Sequence, residues 1–330
     1  MLERASLAIG RLDARLSSSP VRAAWRERAA WTGFADARRA QGTELDEIDV
    51  FALDCGASLP QRRPIAFANE ELTALRAWQA DLAKPQAPHW RELIPVTLDL
   101  PPDWGDRPAL LRALELTAQH ARADRGAGPW LGMPALLKAL GVTRTPLPCL
   151  VAADKALRLA PRDRDAIVPR YLKALAAAAE AGLERLDGVE AERLRAASVI
   201  ARALRPGTLV GLMALSQRQP LITPLGIART LGITVSGAGK LLARAAREGL
   251  VVEISGRQAW RAYIPPDLAV AYGFRRRPAG RPTLAASLAP LDATLARFDA
   301  EMAAFAERFP ELADAGATDE PAADDVQAQR

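Results

Sequence analysis

The chain has 330 residues, 49% hydrophobic and 25% charged, with aromatics at only 5%. That is ordinary globular composition with room for two or three domains, and its Ala/Leu richness favours helices. No apolar run is long enough to span a bilayer, and Glu3 and Asp13 interrupt an N-terminus that therefore does not read as a signal peptide. Two cysteines, Cys55 and Cys149, neither in a CxxC pair, argue against a disulfide framework or a zinc site and suit a reducing cytoplasm. The net charge of +5 is unevenly spread: residues 201–281 hold 13 Lys/Arg against 3 Asp/Glu, and the rest of the chain is net acidic. A localised basic block is the footprint expected of a phosphate-binding module, although a solvated basic surface has the same composition.

In chain order, Leu7, Leu12 and Leu16 predict a first helix over 5–16, and a second follows Pro20 over 21–40. Asn69 is placed to cap a third, with Leu72, Leu75, Trp78 and Leu82 on one face. Six prolines make 84–108 an irregular connection, with a short strand expected at 94–98. Helices are expected from Pro108 to about Ala123 and over 134–140. Two more, over 163–181 and 189–203, are separated by Gly182 and Gly188.

Pro206 and Gly207 open the most informative segment, a predicted winged helix-turn-helix over roughly 209–265. Thr223 caps a short helix that starts at Pro224, with Leu225, Ala228 and Leu231 expected inward. Gly232 supplies a left-handed turn, Ile233 fills the gap between helices, and Thr234 caps the second helix. Ala238, Leu241, Leu242 and Ala245 form its inward stripe, and Gly249 ends it. The outward side carries Val235, Ser236, Gly237, Gly239, Lys240 and Arg244. A second helix presented this way suits the major groove. The DNA-binding residues expected are Thr234, Ser236, Gly237, Gly239, Lys240, Arg244, Arg247 and, at a wing tip, Arg257. Ser236 and Lys240 would approach base edges, and Arg244 and Arg247 would meet phosphates. The two glycines cost roughly 1 kcal/mol each in a helix, which a close backbone approach to DNA would justify. The wing is the β-branched run 250–254, a Ser255-Gly256-Arg257 turn and a return strand over 258–264. The same fold could instead serve protein contacts.

Beyond it, Arg275-Arg276-Arg277 and Gly280-Arg281-Pro282 make a basic linker. Leu291, Leu295, Phe298, Met302, Phe305 and Phe309 form a heptad seam that packs either on its own domain or on a second copy as a homodimer. The tail over 315–330 has too little to bury for a fold of its own. The expected architecture is thus mainly α: a helical N-terminal domain (1–205), the winged helix-turn-helix (206–268), a basic linker (269–289), a C-terminal amphipathic helix (290–310) and an acidic tail (311–330).

Two resemblances bear on the N-terminal domain. The segments beginning Ala5-Ser-Leu-Ala-Ile-Gly-Arg-Leu and Ala37-Arg-Arg-Ala-Gln-Gly, with His120-Ala-Arg-Ala-Asp124-Arg-Gly-Ala-Gly128, distantly resemble Fic-domain proteins. That resemblance implies nucleotidyl transfer with His120 as base and Asp124 on magnesium. The Pro, Phe, Asn and final Arg of the signature are missing, and Ala37 and Gln41 replace the inhibitory Ser and Glu. Over most of its length the chain more closely resembles an alphaproteobacterial, often plasmid-borne family pairing a domain of unknown function with a C-terminal helix-turn-helix. Pro129-Trp-Leu-Gly-Met-Pro-Ala-Leu-Leu137, Leu147-Pro-Cys-Leu150 and the stretch from Arg218 to Tyr263 carry this likeness, which implies DNA binding and no reaction. No nucleotide-binding glycine loop, HExxH or GxSxG occurs, and no cofactor is expected. The functional expectation is a cytoplasmic DNA-binding regulator, with a Fic-like transferase or degenerate pseudoenzyme as the alternative.

Overall fold

The computed structural model describes residues 1–57, 59, 62–85, 88–158, 164–203, 207–255 and 261–276, together with helical positions 296–297, 299–301, 303–304 and 307–308. The fold is mainly helical. Helix α1 (Leu2–Ser17) buries Ala5, Ile9, Leu12 and Leu16, spaced 4, 3 and 4 along one face. Leu7, expected inward, is 65% exposed, because it stands on the opposite side of that stripe. Helix α2 (Arg22–Gln41) is enclosed on nearly every side and buries Trp25, Trp31 and Phe34. Its small residues permit this: a Cβ on Gly33 would lie 2.0 Å from the Pro148 carbonyl oxygen, so another segment of backbone crosses the helix there.

Helix α3 (Glu47–Asp54) has no counterpart in the sequence expectations. A reciprocal capping box between Asp46 and Asp49 starts it, and it packs Phe51 edge-on to Trp31 with centroids 5.2 Å apart. Helix α4 (Ala68–Ala83) begins earlier than the Asn69 cap implied. Phe67, in the left-handed region, is the N-cap, and Asn69 lies exposed inside the first turn. Leu75 and Trp78 face inward as expected, and the Trp78 indole donates to the Leu131 carbonyl at 2.7 Å.

The expected strand at 94–98 is absent. Burial alternates from Ile94 to Leu100 as in a strand, but the backbone has no neighbour to pair with. The Gln119 side chain instead clamps the peptide at Asp99, accepting from its N–H at 2.8 Å and donating to its carbonyl at 2.5 Å. Helices α5 (Ala109–Ala123), α6 (Gly128–Leu131) and α7 (Met133–Ala139) follow.

The next helix departs furthest from expectation. Instead of two helices broken at glycines, α8 (Arg164–Arg202) runs unbroken for 39 residues. Gly182 is a contact point within it: an added Cβ would meet Leu12 at 2.9 Å and the Cys149 sulfur at 3.1 Å, and the Gly182 carbonyl accepts from Trp25 at 2.7 Å. The saved volume and the buried hydrogen bond compensate for glycine's poor helix propensity. Ion pairs Arg4–Glu180 (3.0 Å) and Arg15–Glu190 (2.6 Å) advance in the same sense along both helices, so α1 and α8 lie parallel.

Helix α9 (Leu209–Arg218) leads into α10 (Pro224–Leu231) and α11 (Val235–Arg247), then β1 (Val252–Glu253), β2 (Tyr263–Ile264) and α12 (Pro266–Ala271). The strands are antiparallel, with Val252 opposite Ile264 and Glu253 opposite Tyr263. Tyr263 also exchanges both backbone hydrogen bonds with Ile222 at 2.8 Å, so β2 lies between β1 and the residue just before the α10 cap. Strand alternation then sends neighbouring side chains to different cores. Tyr263 joins Ile227, Leu241 and Leu242, whereas Ile264 joins Trp31, Phe34 and Phe51 of the helical body. From the other side, Ala196 and Ile200 at the end of α8 enter the α10–α11 core.

The junction is also polar. Arg28 pairs with Asp267, and Arg195 donates to the Gly249 carbonyl. Glu47 takes both Arg185 (2.8 Å) and the Tyr272 hydroxyl (3.3 Å). Burial and the nearby Asp54 carboxylate push Glu27 up to about 8, against the pull of Arg28. Burial likewise pushes Glu192 up to about 7.

Candidate nucleic-acid interface

The α10–α11 pair is built by local rules that the sequence carries openly. Thr223 and Thr234 each cap a helix, their hydroxyls accepting from Gly226 at 3.1 Å and Gly237 at 3.0 Å. Gly232 makes the turn at φ +64, where a side chain would be strained. Ala238, Leu241, Leu242 and Ala245 are buried, and Ile233 packs against that core. In α10 the inward residues are Ile227 and Ala228. Leu225, expected inward, is 48% exposed, because the helix turns Ile227 into the core in its place.

The expected contact residues fall on one element. Thr234, Ser236, Lys240 and Arg247 are exposed on α11 or its cap, and Gly237 and Gly239 are half-buried. Arg244 is half-buried and has a partner within the chain. Arg257 lies outside the described residues, as do the heptad-seam residues Leu291, Leu295, Phe298, Met302, Phe305 and Phe309. Asp299, between them, pairs with the buried Arg193 of α8 at 2.5 Å.

The two helical glycines differ. A Cβ at Gly237 would press on the capping Thr234 hydroxyl at 3.1 Å, whereas one at Gly239 would enter open space. Gly237 therefore makes room for the cap, and packing does not account for Gly239.

Two exposed residues of the helix pair escaped the sequence reading. Arg229 is exposed on α10, and Ala243 is exposed on α11. Helical periodicity could have found both, since Ala243 is one turn beyond Gly239 and Arg229 lies between the buried Ala228 and the half-buried Thr230. Arg229, Lys240 and Arg247 make no ion pair with an acidic side chain among the described residues. Arg261 is 3.8 Å from Glu253, and Arg275 and Arg276 are exposed.

The His120 region has a different character. His120 is buried, and burial lowers its pKa while Asp124, 3.7 Å away, opposes the shift. Asp124 accepts the Gly126 N–H at 2.6 Å, and its carboxylate lies 2.7 Å from where a Cβ on Gly128 would stand. The amide that could cradle a phosphate is thus already engaged by a negative charge. The adjoining cavity, lined by Leu93, Thr117, His120 and Leu136, offers about 10 Å³, room for no more than a water. Among the described residues no cluster of His, Cys, Asp and Glu could hold a metal, and no helix is long and apolar enough to cross a membrane.

Neither a comparison with protein-family models nor one with curated proteins finds a match to this chain.

Proposed function

We propose that the chain binds double-stranded DNA through α10, α11 and the β1–β2 ribbon, acting together as a winged helix-turn-helix. The observation that carries this reading is the unpaired exposed charge: Arg229, Lys240 and Arg247 stand on the helix pair with no acidic partner among the described residues. Exposed cations fixed on a rigid helix pair are the groups that neutralise phosphates and release counterions. Arg229 on the first helix meets the backbone, α11 enters the major groove, and Lys240 reaches toward base edges. The helical body, joined to this module through shared cores, binds an effector or partner, and the protein serves as a transcriptional regulator in the cytoplasm. Binding of the full chain to random duplex DNA, followed across a salt series, tests this. Affinity should fall steeply with salt, and absence of binding at low salt would refute the reading.

A further inference from the structure

Among the described residues six large apolar side chains are exposed, and two of them, Leu225 (48%) and Val235 (53%), stand in the first turns of α10 and α11. The outward side of α11 sorts into two rows by helical spacing. Ser236, Lys240 and Arg247 form a polar and cationic row, beside the half-buried Arg244, which has its own partner within the chain. Val235, Gly239 and Ala243, each four residues from the next, form a parallel row of one branched apolar side chain followed by almost none. Nothing lies within 4 Å of where a Gly239 Cβ would be, so the row past Val235 is a shallow, bare strip of helix backbone.

The second row lacks the forked donors and acceptors that read guanine or adenine edges. Arg, Asn and Gln are absent from it as far as Ala243, Arg247 following only one turn later, and its only bulk over that stretch is a hydrocarbon. The one apolar group on the floor of the major groove is the thymine 5-methyl. Resting on the DNA-binding reading above, we propose that Val235 is a specificity-determining residue that packs on a thymine methyl, with Gly239 and Ala243 letting the helix lie close enough for that contact. Charge complementarity selects the occupant, since the cationic row runs beside the apolar one on the same helix. The recognised site should then contain a thymine whose methyl group, more than its hydrogen-bonding edge, determines affinity.

The test uses the full chain and a duplex selected from a random pool. Each thymine is replaced singly by uracil, which removes the methyl and preserves pairing. At one position wild type should lose about fourfold in affinity, the worth of one buried methyl-sized group. Val235→Ala should bind the thymine duplex at that reduced level and no longer distinguish thymine from uracil. Val235→Ile, which keeps the branched apolar surface, should retain the distinction. Val235 is exposed and the Thr234 cap is untouched, so neither variant disturbs the fold. A selected site indifferent to uracil at every position, or a Val235→Ala variant that still discriminates, overturns the inference and leaves DNA binding standing. Failure to select any duplex overturns both.

Discussion

The helical body and the α10–α11 module differ in how much of their positive charge is balanced by acidic residues. In the body, many arginines are matched within the chain, Arg4 with Glu180, Arg15 with Asp187 and Glu190, Arg38 with Glu71, and Arg185 with Glu47, while Arg11, Arg63, Arg122 and Arg125 are exposed with no acidic partner among the described residues and lie scattered over separate elements. On the module, Arg229, Lys240 and Arg247 face solvent unmatched among the described residues. Paired surface arginines contribute little net stability, and their charge is not offered to a ligand. Unpaired cations of one sign repel one another, a cost that a polyanion relieves. The contrast is invisible in the net charge, because +5 overall conceals a nearly balanced body beside a strongly basic module.

The largest expected effect breaks the body. Gly33→Ala places a methyl 2.0 Å from a backbone oxygen that cannot rotate away. A loss of about 3 kcal/mol in denaturant unfolding is expected, the upper range for overpacking. A loss below ~0.5 kcal/mol would mean that the crossing segment at Pro148 yields freely.

The junction sharpens the comparison through pH. Glu27 has a folded-state pKa raised to about 8, so its protonated form is the one the fold favours. Its contribution is complete below the ordinary carboxylate range and is lost as pH rises through about 8. Glu27→Gln should therefore lose less Tm than wild type between about pH 6 and about 9. Parallel curves for the two proteins would show that Glu27 is solvated in the folded state.

The smallest effect separates stability from binding on the module itself. Gly239→Ala adds a methyl to open space on a helix and should stabilise by up to about 1 kcal/mol. The same methyl should weaken DNA binding, because it stands between the α11 backbone and the groove. Higher Tm with unchanged affinity would show that the bare strip is not approached.

How much of this was legible in the sequence depended on whether the cause was local. The two Thr caps, the left-handed Gly232 and the Ala238–Leu241–Leu242–Ala245 stripe follow from short-range rules, and the α10–α11 pair was read nearly residue by residue. Leu7 and Leu225 were misdirected because an apolar residue is not by itself an inward one; the neighbouring stripe sets the face. Helix α3 escaped notice because its cap pairs Asp46 with Asp49, where the usual box has Glu or Gln, and because eight residues show little periodicity. Gly182 read as a break because its reason, the approach of Leu12 and Cys149, lies far away in the sequence. For the same reason no pattern announced that Ile264 and Leu268 belong to the core of the helical body. At the candidate site, attention to polar groups on the second helix named Ser236 and Lys240, which are exposed, and passed over Arg229 and Ala243, which are exposed beside them.

The most direct test of the central claim is the salt dependence of duplex binding by wild type and by the triple variant Arg229→Ala, Lys240→Ala, Arg247→Ala. The logarithm of affinity against the logarithm of salt should have a clearly negative slope for wild type, and the triple variant should flatten it by roughly 0.9 for each phosphate contact removed. An unchanged slope in a folded triple variant, or no binding by wild type at low salt, would contradict the claim that these three cations face DNA.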